Sequence, residues 1–329
     1  MTVAKESRVA VVIVSWNAKE YLEKCLTSLL KQSYEDYEVI FVDNGSRDGS
    51  AEFIRTNFPT IRLLVLELNV GFAKGNNIGI ESVLKDETIR HVVLLSSDTI
   101  VEADFLAALV NAAESDERVG SCQPKMLSMD DPKILDAVGI TITQDGGAVQ
   151  LGYGKRNSDD EDKITEVFGA NAGAVLYKSS MLKQIGLLDE DCFAYYEDVD
   201  LALRARLAGW KCLFVPTARV YHKHSITYGK QSPFKEYLLT RNQYYYVIKG
   251  LPARMVFLFL MRRGRNIAGL LARMAMRLLL ADMEGFRSNN RRLKAHYDAA
   301  KNIPRMFKKR RAIRSTRSIS DQELMRWFE

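Results

Sequence analysis

Residues 9–57, VAVVIVSWNAKEYLEKCLTSLLKQSYEDYEVIFVDNGSRDGSAEFIRTN, decide the fold. Val9 to Val14 is an unbroken apolar, mostly β-branched run, the pattern of a strand buried on both faces of a parallel sheet. Ser15-Trp16-Asn17 ends it, and Leu22, Cys25, Leu26, Leu29 and Leu30 then recur on one side of a helix. A second strand, Tyr37 to Val42, ends at Asp43. The turn and cap residues from Asp43 to Ser50 lead into a helix over Ala51 to Asn57. Strand, helix, strand, helix specifies an α/β protein with a doubly wound, mostly parallel sheet. Ligands of such sheets bind beyond the carboxyl ends of the strands, where Ser15, Asn17 and Asp43 fall.

The pattern continues with a third strand, Ile61 to Leu66. A loop rich in glycine and amides follows, Asn69-Val70-Gly71-Phe72-Ala73-Lys74-Gly75-Asn76-Asn77, and then a helix. Backbone amides freed around Gly71, with Lys74, suit a phosphate or nucleotide, although such turns also serve simply as turns. The fourth strand, His91 to Leu95, runs into Ser96-Ser97-Asp98-Thr99. Asp98 is placed either to hold a hard cation bridging phosphates or to cap a helix starting near Glu102. Residues 119–167 read as short strands and turns, with a solvated, mobile loop at Asn157 to Lys163. The small residues of Phe168 to Ala174 let a ligand approach backbone or let elements pack closely.

Residues 193–225, FAYYEDVDLALRARLAGWKCLFVPTARVYHKHS, concentrate the chemistry. Glu197, Asp198 and Asp200 head a helix that is apolar in two registers, Leu201-Ala205-Ala208 and Val199-Leu203-Leu207, and so is buried; Gly209 stops it. A β-rich run broken by Pro216 then delivers His222 and His224. Acidic residues in a first helical turn complement the helix dipole. Three of them exceed what a cap needs, and their repulsion raises at least one pKa, which suits acid–base work.

The chain of 329 residues has an ordinary globular composition. Its four cysteines form no CxxC pair and read as reduced thiols, neither a disulfide frame nor a zinc site. The N-terminal residues lead into a strand without a signal peptide, so a cytoplasmic location is expected. Residues 251–329 carry 19 Lys and Arg against 6 Asp and Glu, a balance of +13; the rest carries 28 against 35, a balance of −7. Pro252 to Arg292 has a helical pattern, and Arg265 to Phe286 within it reads as one basic amphipathic helix. Such a helix either lies on an anionic membrane or packs on the body with its arginines in water. Met255 to Met261, the longest apolar run there, is too short to span a bilayer. Residues 305–317 hold seven basic residues in thirteen, but no nucleic-acid-binding motif accompanies them, and nucleic acid is not an expected partner.

Five ordered segments carry a resemblance: VVIVSWNAKEYLEKCLTSLLKQSYEDYEVIFVDNGSRDGS, NVGFAKGNNIGI, LLSSDT, GANAGAVLYKSSMLKQIGLLDE and YYEDVDLALRARLAGWKCLFVPTARVYHKHS. Together they cover most of residues 8–242 and resemble the family 2 glycosyltransferases of GT-A fold, within them the bacterial rhamnosyltransferase-like group. Arg241-Asn242 and the basic end look like this group too. The resemblance implies a Rossmann-like GT-A domain over residues 1–245, with a nucleotide-sugar half to about residue 100 and an acceptor half beyond it. A basic helical extension follows over 246–329. It implies inverting transfer from a dTDP- or UDP-linked donor, with dTDP-rhamnose first, to a glycan or lipid-linked glycan acceptor in cell-surface polysaccharide synthesis. The enzyme would be peripheral on the inner face of the membrane, and its tail helices could equally form a dimer interface.

Carried over by position, Ser15, Asn17, Asp43, Gly71, Lys74, Ser97 and Asp98 would bind the nucleotide. Asp98 would be the surviving carboxylate of a DXD motif, which here reads Ser96-Ser97-Asp98. Holding Mg²⁺ or Mn²⁺ then leans on Asp98, His222 and the diphosphate. Asp198 would be the general base beside Glu197, with Asn171, Gly173, Asp200 and His224 toward sugar and acceptor. A nucleotidyltransferase is the rival enzyme, and it lacks its glycine-rich basic loop after the first strand. A non-catalytic sugar-nucleotide- or glycan-binding protein is favoured by the reduced DXD motif and opposed by Glu197-Asp198 and His222.

Overall fold

The computed structural model describes residues 8–158, 163–223 and 232–328. Strand β1 (Arg8–Ser15), helix α1 (Lys19–Leu29), β2 (Tyr37–Asp43) and α2 (Ser50–Asn57) follow one another as the hydrophobic pattern requires. Val9 to Ile13 are wholly buried. Val9, Val11 and Ile13 share one core with Leu22, Cys25, Leu26 and Leu29 of α1, while Ala10 and Val12 point into a second. The period of two in β1 thus feeds two helical layers. Leu30, expected in the α1 stripe, is instead its exposed C-cap.

Next come β3 (Arg62–Val65), α3 (Phe72–Glu81) and β4 (Ile89–Ser96), and β3, β2, β1 and β4 lie side by side in parallel. Helix α3 begins at Phe72, so Lys74, Asn76 and Asn77 are helical and not part of a loop. Their surroundings outweigh intrinsic propensity. Asn77 exchanges hydrogen bonds with the backbone of Leu188 (2.9 and 3.1 Å), and Gly79 faces β1, where a Cβ would stand 2.4 Å from Val12. The glycines of this stretch let α3 sit close on the sheet.

The chain continues with β5 (Thr99–Val101), α4 (Phe105–Glu114), β6 (Val119–Ser128), β7 (Leu135–Ala137), β8 (Ile140–Ile142), β9 (Ala148–Gln150), β10 (Thr165–Val167), β11 (Ala174–Lys178), α5 (Ser179–Ile185), α6 (Glu197–Leu207) and β12 (Lys211–His222). The main sheet runs β10-β12-β6-β11-β4-β1-β2-β3, with β11 antiparallel to both its neighbours and β12 parallel to β6. Strand β8 pairs with β9 in a separate hairpin. Pro216 does not break β12. The register on β6 shifts between Val215 and Arg219, and a bulge is where a residue without an N–H donor fits a sheet. The loop expected over Asn157 to Lys163 lies partly outside the described residues.

Four helices follow: α7 (Pro233–Gly250), α8 (Ala253–Leu279), α9 (Met283–Ser315) and α10 (Asp321–Met325). Helix α7 runs unbroken through the boundary expected at 245–246. Its Tyr244 to Ile248 build a third core with Leu203 and Leu207 of α6, Ala299 and Met306 of α9 and Leu324 of α10. Charge joins the same parts. Lys249 bonds Asp189 and lies 2.6 Å from Asp200; Lys309 of α9 bonds Asp189 and, at 2.7 Å, Asp191; Arg305 reaches Asp191 at 2.9 Å. The single helix expected over Arg265 to Phe286 is two. The chain turns at Ala281 (φ 52°), and Asp282 caps α9 by accepting from Gly285 N. Among the described residues no helix is long and apolar enough to cross a membrane.

Candidate active site

Parallel register sets Ser15 opposite Asp43 at the carboxyl ends of β1 and β2. Both are buried, and Ser15 Oγ and Asp43 Oδ1 have no hydrogen-bond partner. A buried polar atom left unsatisfied costs about 1–3 kcal/mol, so adjacent ones at strand ends mark a place where a ligand supplies the partners. Asn17 (φ 51°) is engaged within the protein: its Oδ1 accepts from Arg47 N at 2.8 Å and its N–H donates to Ser46 Oγ at 3.0 Å. It ties the loop after β1 to the loop after β2. Asn44, which sequence reasoning passed over, holds the next loop, donating to Asn69 Oδ1 (3.1 Å) and Gly71 O (3.2 Å) and accepting from Val70 N (3.0 Å). Gly71 has φ 92°, and a Cβ there would stand 2.6 Å from Phe193. The half-exposed Lys74 lies 3.8 Å from Glu190.

Ser97 is buried after β4, and Asp98 follows it. Strand β12 brings His222 Nε2 to 3.4 Å from Asp98 Oδ1, and His222 Nδ1 lies 2.6 Å from Asp136 Oδ2. Burial pushes the His222 pKa down, but the bonds to Asp136 and Asp98 outweigh it and hold the ring up at about 9. Asp136, on β7, was missed by sequence reasoning. Its one signal is a lone acid inside the apolar run Ile134 to Ile142. A carboxylate and an imidazole facing each other, with the far ring nitrogen held by a second carboxylate, is a donor set that fits a divalent cation. Among the described residues no third His, Cys, Asp or Glu completes a metal-holding group.

A cleft of about 350 Å³ brings Asp98 and His222 together with Asn171, Gly173, Glu197 and Asp198. Asn171 N donates to Gln123 Oε1 at 2.7 Å, and its Oδ1 accepts from Gly173 N at 2.8 Å, so both backbone positions are fixed. Glu197 is buried with Oε2 unpartnered. Burial first, and the neighbouring Asp198 second, push its pKa up to about 8. Asp198 keeps part of its surface open to the cleft and accepts from Val199 N (2.8 Å) and Ala172 N (3.4 Å). Desolvation raises its pKa against those bonds. Burial, not crowding by Asp200, is therefore the leading cause for both groups. Asp200, expected toward the acceptor, faces away: it accepts from Arg204 Nε at 2.9 Å and pairs with Lys249. His224 lies outside the described residues.

Residues 7–244 match the family model described as Glycosyltransferase like family 2, and the chain belongs to that family. It is 28% identical over 237 residues to N-acetylglucosaminyl-diphospho-decaprenol L-rhamnosyltransferase of Mycobacterium tuberculosis, covering 67% of this chain and 77% of the relative. It is 25% identical over 213 residues to poly-beta-1,6-N-acetyl-D-glucosamine synthase of Staphylococcus epidermidis, covering 64% of this chain and 48% of the synthase. Among solved structures it resembles GalNAc-T7 with UDP, GalNAc and Mn²⁺, with TM-score 0.59, 16% identity and coverage of 74% of this chain and 48% of that one. It also resembles mannosyltransferase PcManGT from Pyrobaculum calidifontis with GDP-Man and Mn²⁺, with TM-score 0.52, 16% identity and coverage of 97% and 85%. At that identity the two structures show the fold, which is GT-A. The chain spans about half the length of the synthase and of the GalNAc-T7 chain. Family membership makes the protein a glycosyltransferase and sets aside the nucleotidyltransferase reading.

Proposed function

We propose that this enzyme is an inverting, divalent-metal-dependent transferase that moves a sugar from a nucleotide donor to a lipid-linked glycan acceptor. The observation that carries the reading is one cleft holding both the Asp98–His222 pair and the desolvated Glu197–Asp198 pair. On the donor side Asp43 Oδ1 accepts the pyrimidine N3–H, with Ser15 beside it. Asp98 and His222, once the ring gives up its Nε2 proton, would hold Mg²⁺ or Mn²⁺; when bound, the ion would offset charge developing on the leaving diphosphate. Glu197, buried, keeps its proton near neutral pH, so Asp198 works beside a neutral neighbour. Asp198 takes the proton from an acceptor hydroxyl. That oxygen bonds the anomeric carbon from the face opposite the diphosphate, which leaves with the electrons of the broken C–O bond. The mycobacterial relative, by name a rhamnosyltransferase acting on a diphospho-decaprenol, supports rhamnose and a lipid carrier. UDP-hexose is the second donor reading, favoured by the UDP in one structural neighbour.

The test is release of nucleoside diphosphate from dTDP-rhamnose, UDP-glucose, UDP-galactose, UDP-N-acetylglucosamine and GDP-mannose, each with Mg²⁺, Mn²⁺ or EDTA. Metal-dependent release from dTDP-rhamnose, lost in Asp98→Ala, is the expected outcome. Metal-independent release, or release from another donor alone, would overturn the corresponding part.

The partner surface is the exposed apolar side of α8 and its turn into α9. Helix α8 buries Val256, Phe259 and Leu270, while Phe257, Met261, Met276, Leu279, Leu280 and Met283 are exposed. Arg262, Arg265, Arg273 and Arg277 are interleaved with them. Apolar tips flanked by arginines match an anionic leaflet, the inner face of the cell membrane. Sedimentation with anionic vesicles should fall in Leu279→Asp/Leu280→Asp without loss of diphosphate release. A dimer in sizing that does not bind vesicles would overturn this in favour of self-association.

A further inference from the structure

We infer that Asn242 is a positioning residue: through the segment Phe193–Tyr196 it fixes Glu197 and Asp198 relative to the donor loop at Gly71. The inference rests on the reading of Asp198 as the base.

Three non-glycine residues in that segment have positive φ: Phe193 (62°), Tyr195 (69°) and Tyr196 (67°). Phe193 has ψ −62°, and Ala194 N donates to Cys192 O at 2.8 Å, so Phe193 is the centre of a γ-turn of the strained hand. Side chains with a Cβ occupy these regions only where the surroundings over-determine them. Asn242 is central to that here. The two N–H groups of Asn242 Nδ2 serve the carbonyls of Cys192, Ala194 and Tyr195, each at 2.8 Å, with one N–H shared between two of them. Its Oδ1 accepts from Arg241 Nε at 2.9 Å, and Arg241 Nη2 donates to Asp191 O and Cys192 O, also at 2.9 Å. Asn242 is fully buried. An aspartate there would set an oxygen against three carbonyls, and an alanine would leave them without that donor.

Both ends of the segment bear on the cleft. Phe193 O accepts from Ala73 N at 3.0 Å in the first turn of α3, and Phe193 fills the space Gly71 leaves by lacking a Cβ. Tyr196 is the N-cap of α6, immediately before Glu197 and Asp198, and its ring stacks on Tyr246 of α7 at 5.1 Å. The segment is a beam between the donor loop and the carboxylate pair, and Asn242 sets its curvature from outside the cleft.

The test compares Asn242→Ala and Asn242→Ser, which keeps one donor, with Asn302→Ala. Asn302 of α9 donates to Tyr245 Oη of α7 at 3.0 Å, a contact that does not touch the segment. The readouts are kcat, donor affinity by calorimetry, and Tm. Asn242→Ala should lower kcat about a hundredfold with donor affinity changed less than about threefold, and serine should restore part of the loss. Asn302→Ala should lower Tm and leave kcat unchanged. A folded Asn242→Ala with wild-type kcat would overturn the inference. So would kcat and donor binding falling together in step with the folded fraction, or failure of both Asn242 variants to fold, since the amide would then be a determinant of folding alone. If Asp198→Asn retains full activity, it is the base assignment that fails, whatever the Asn242 variants do.

Discussion

Ser15 and Asp43 stand at the carboxyl ends of regular parallel strands, whereas Glu197 and Asp198 reach the cleft on a helix entered through left-handed residues. On the donor rim, register alone places the side chains, and the supporting amides, Asn17 and Asn44, lie within about one strand-helix unit of what they hold. On the acceptor rim the support comes from Asn242, 44 residues beyond Asp198, and from a helical region whose core is separate from those flanking the sheet. A nucleotide needs a fixed surface. A base that must stay partly desolvated near a reacting hydroxyl needs a pose the backbone would not adopt unaided.

The sharpest way to break this comparison is Asp198→Asn. Transfer should fall by about 10³-fold while donor affinity stays within a few-fold of wild type, measured by sugar transfer and calorimetry. Wild-type transfer would remove proton abstraction from the acceptor rim. Asp43→Ala probes the other rim: donor affinity should weaken about 10- to 100-fold, with a smaller effect on kcat at saturation. An unchanged affinity would mean that its unpartnered oxygen serves no ligand. Asp136→Ala should weaken metal-dependent diphosphate release by about 10- to 100-fold, seen as a rightward shift in the Mn²⁺ titration, because His222 loses its orienting carboxylate.

The smallest effect is on stability. Glu197 has a folded pKa of about 8 against 4.5 unfolded, so between those values the unfolded chain releases a proton that the folded chain retains. Native stability therefore falls as pH rises through that window. Glu197→Gln does not titrate; it should match wild type near pH 4 and exceed its Tm near pH 8 by on the order of 5 °C in a thermal melt. A gain equal at both pH values would point to packing instead of ionisation.

The places of Ser15 and Asp43 were legible in sequence because local periodicity sets them: β1 and β2 end where their apolar runs end, and the two residues stand there. Glu197-Asp198, Asp98 and His222 were legible as polar residues at element ends. Asp200 misled because proximity in sequence was taken for proximity in space; two positions past Asp198 it is about 200° around the helix, facing Lys249. The stretch from Asn69 to Asn77 misled because glycine was read as a loop signal, whereas Gly75 and Gly79, four apart, share the helix face that packs on β1. Asp136 and Asn242 carry no periodic signal, and their partners lie 86 and about 50 residues away.

The ion pairs from α9 to the turn at Asp189 and Asp191 bear on how this enzyme can be divided or recombined. The family match ends at 244, inside α7 and before most of the third core. A cut made there would bare Leu203 and Leu207, which share a core with Tyr245 to Ile248, and strand Asp189 without Lys249 and Lys309. In a chimera that exchanges tails between relatives, the acidic turn and the basic helix behave as one heritable unit: a foreign tail works only if it brings cations to the positions of Arg305 and Lys309, or if the host gives up its aspartates.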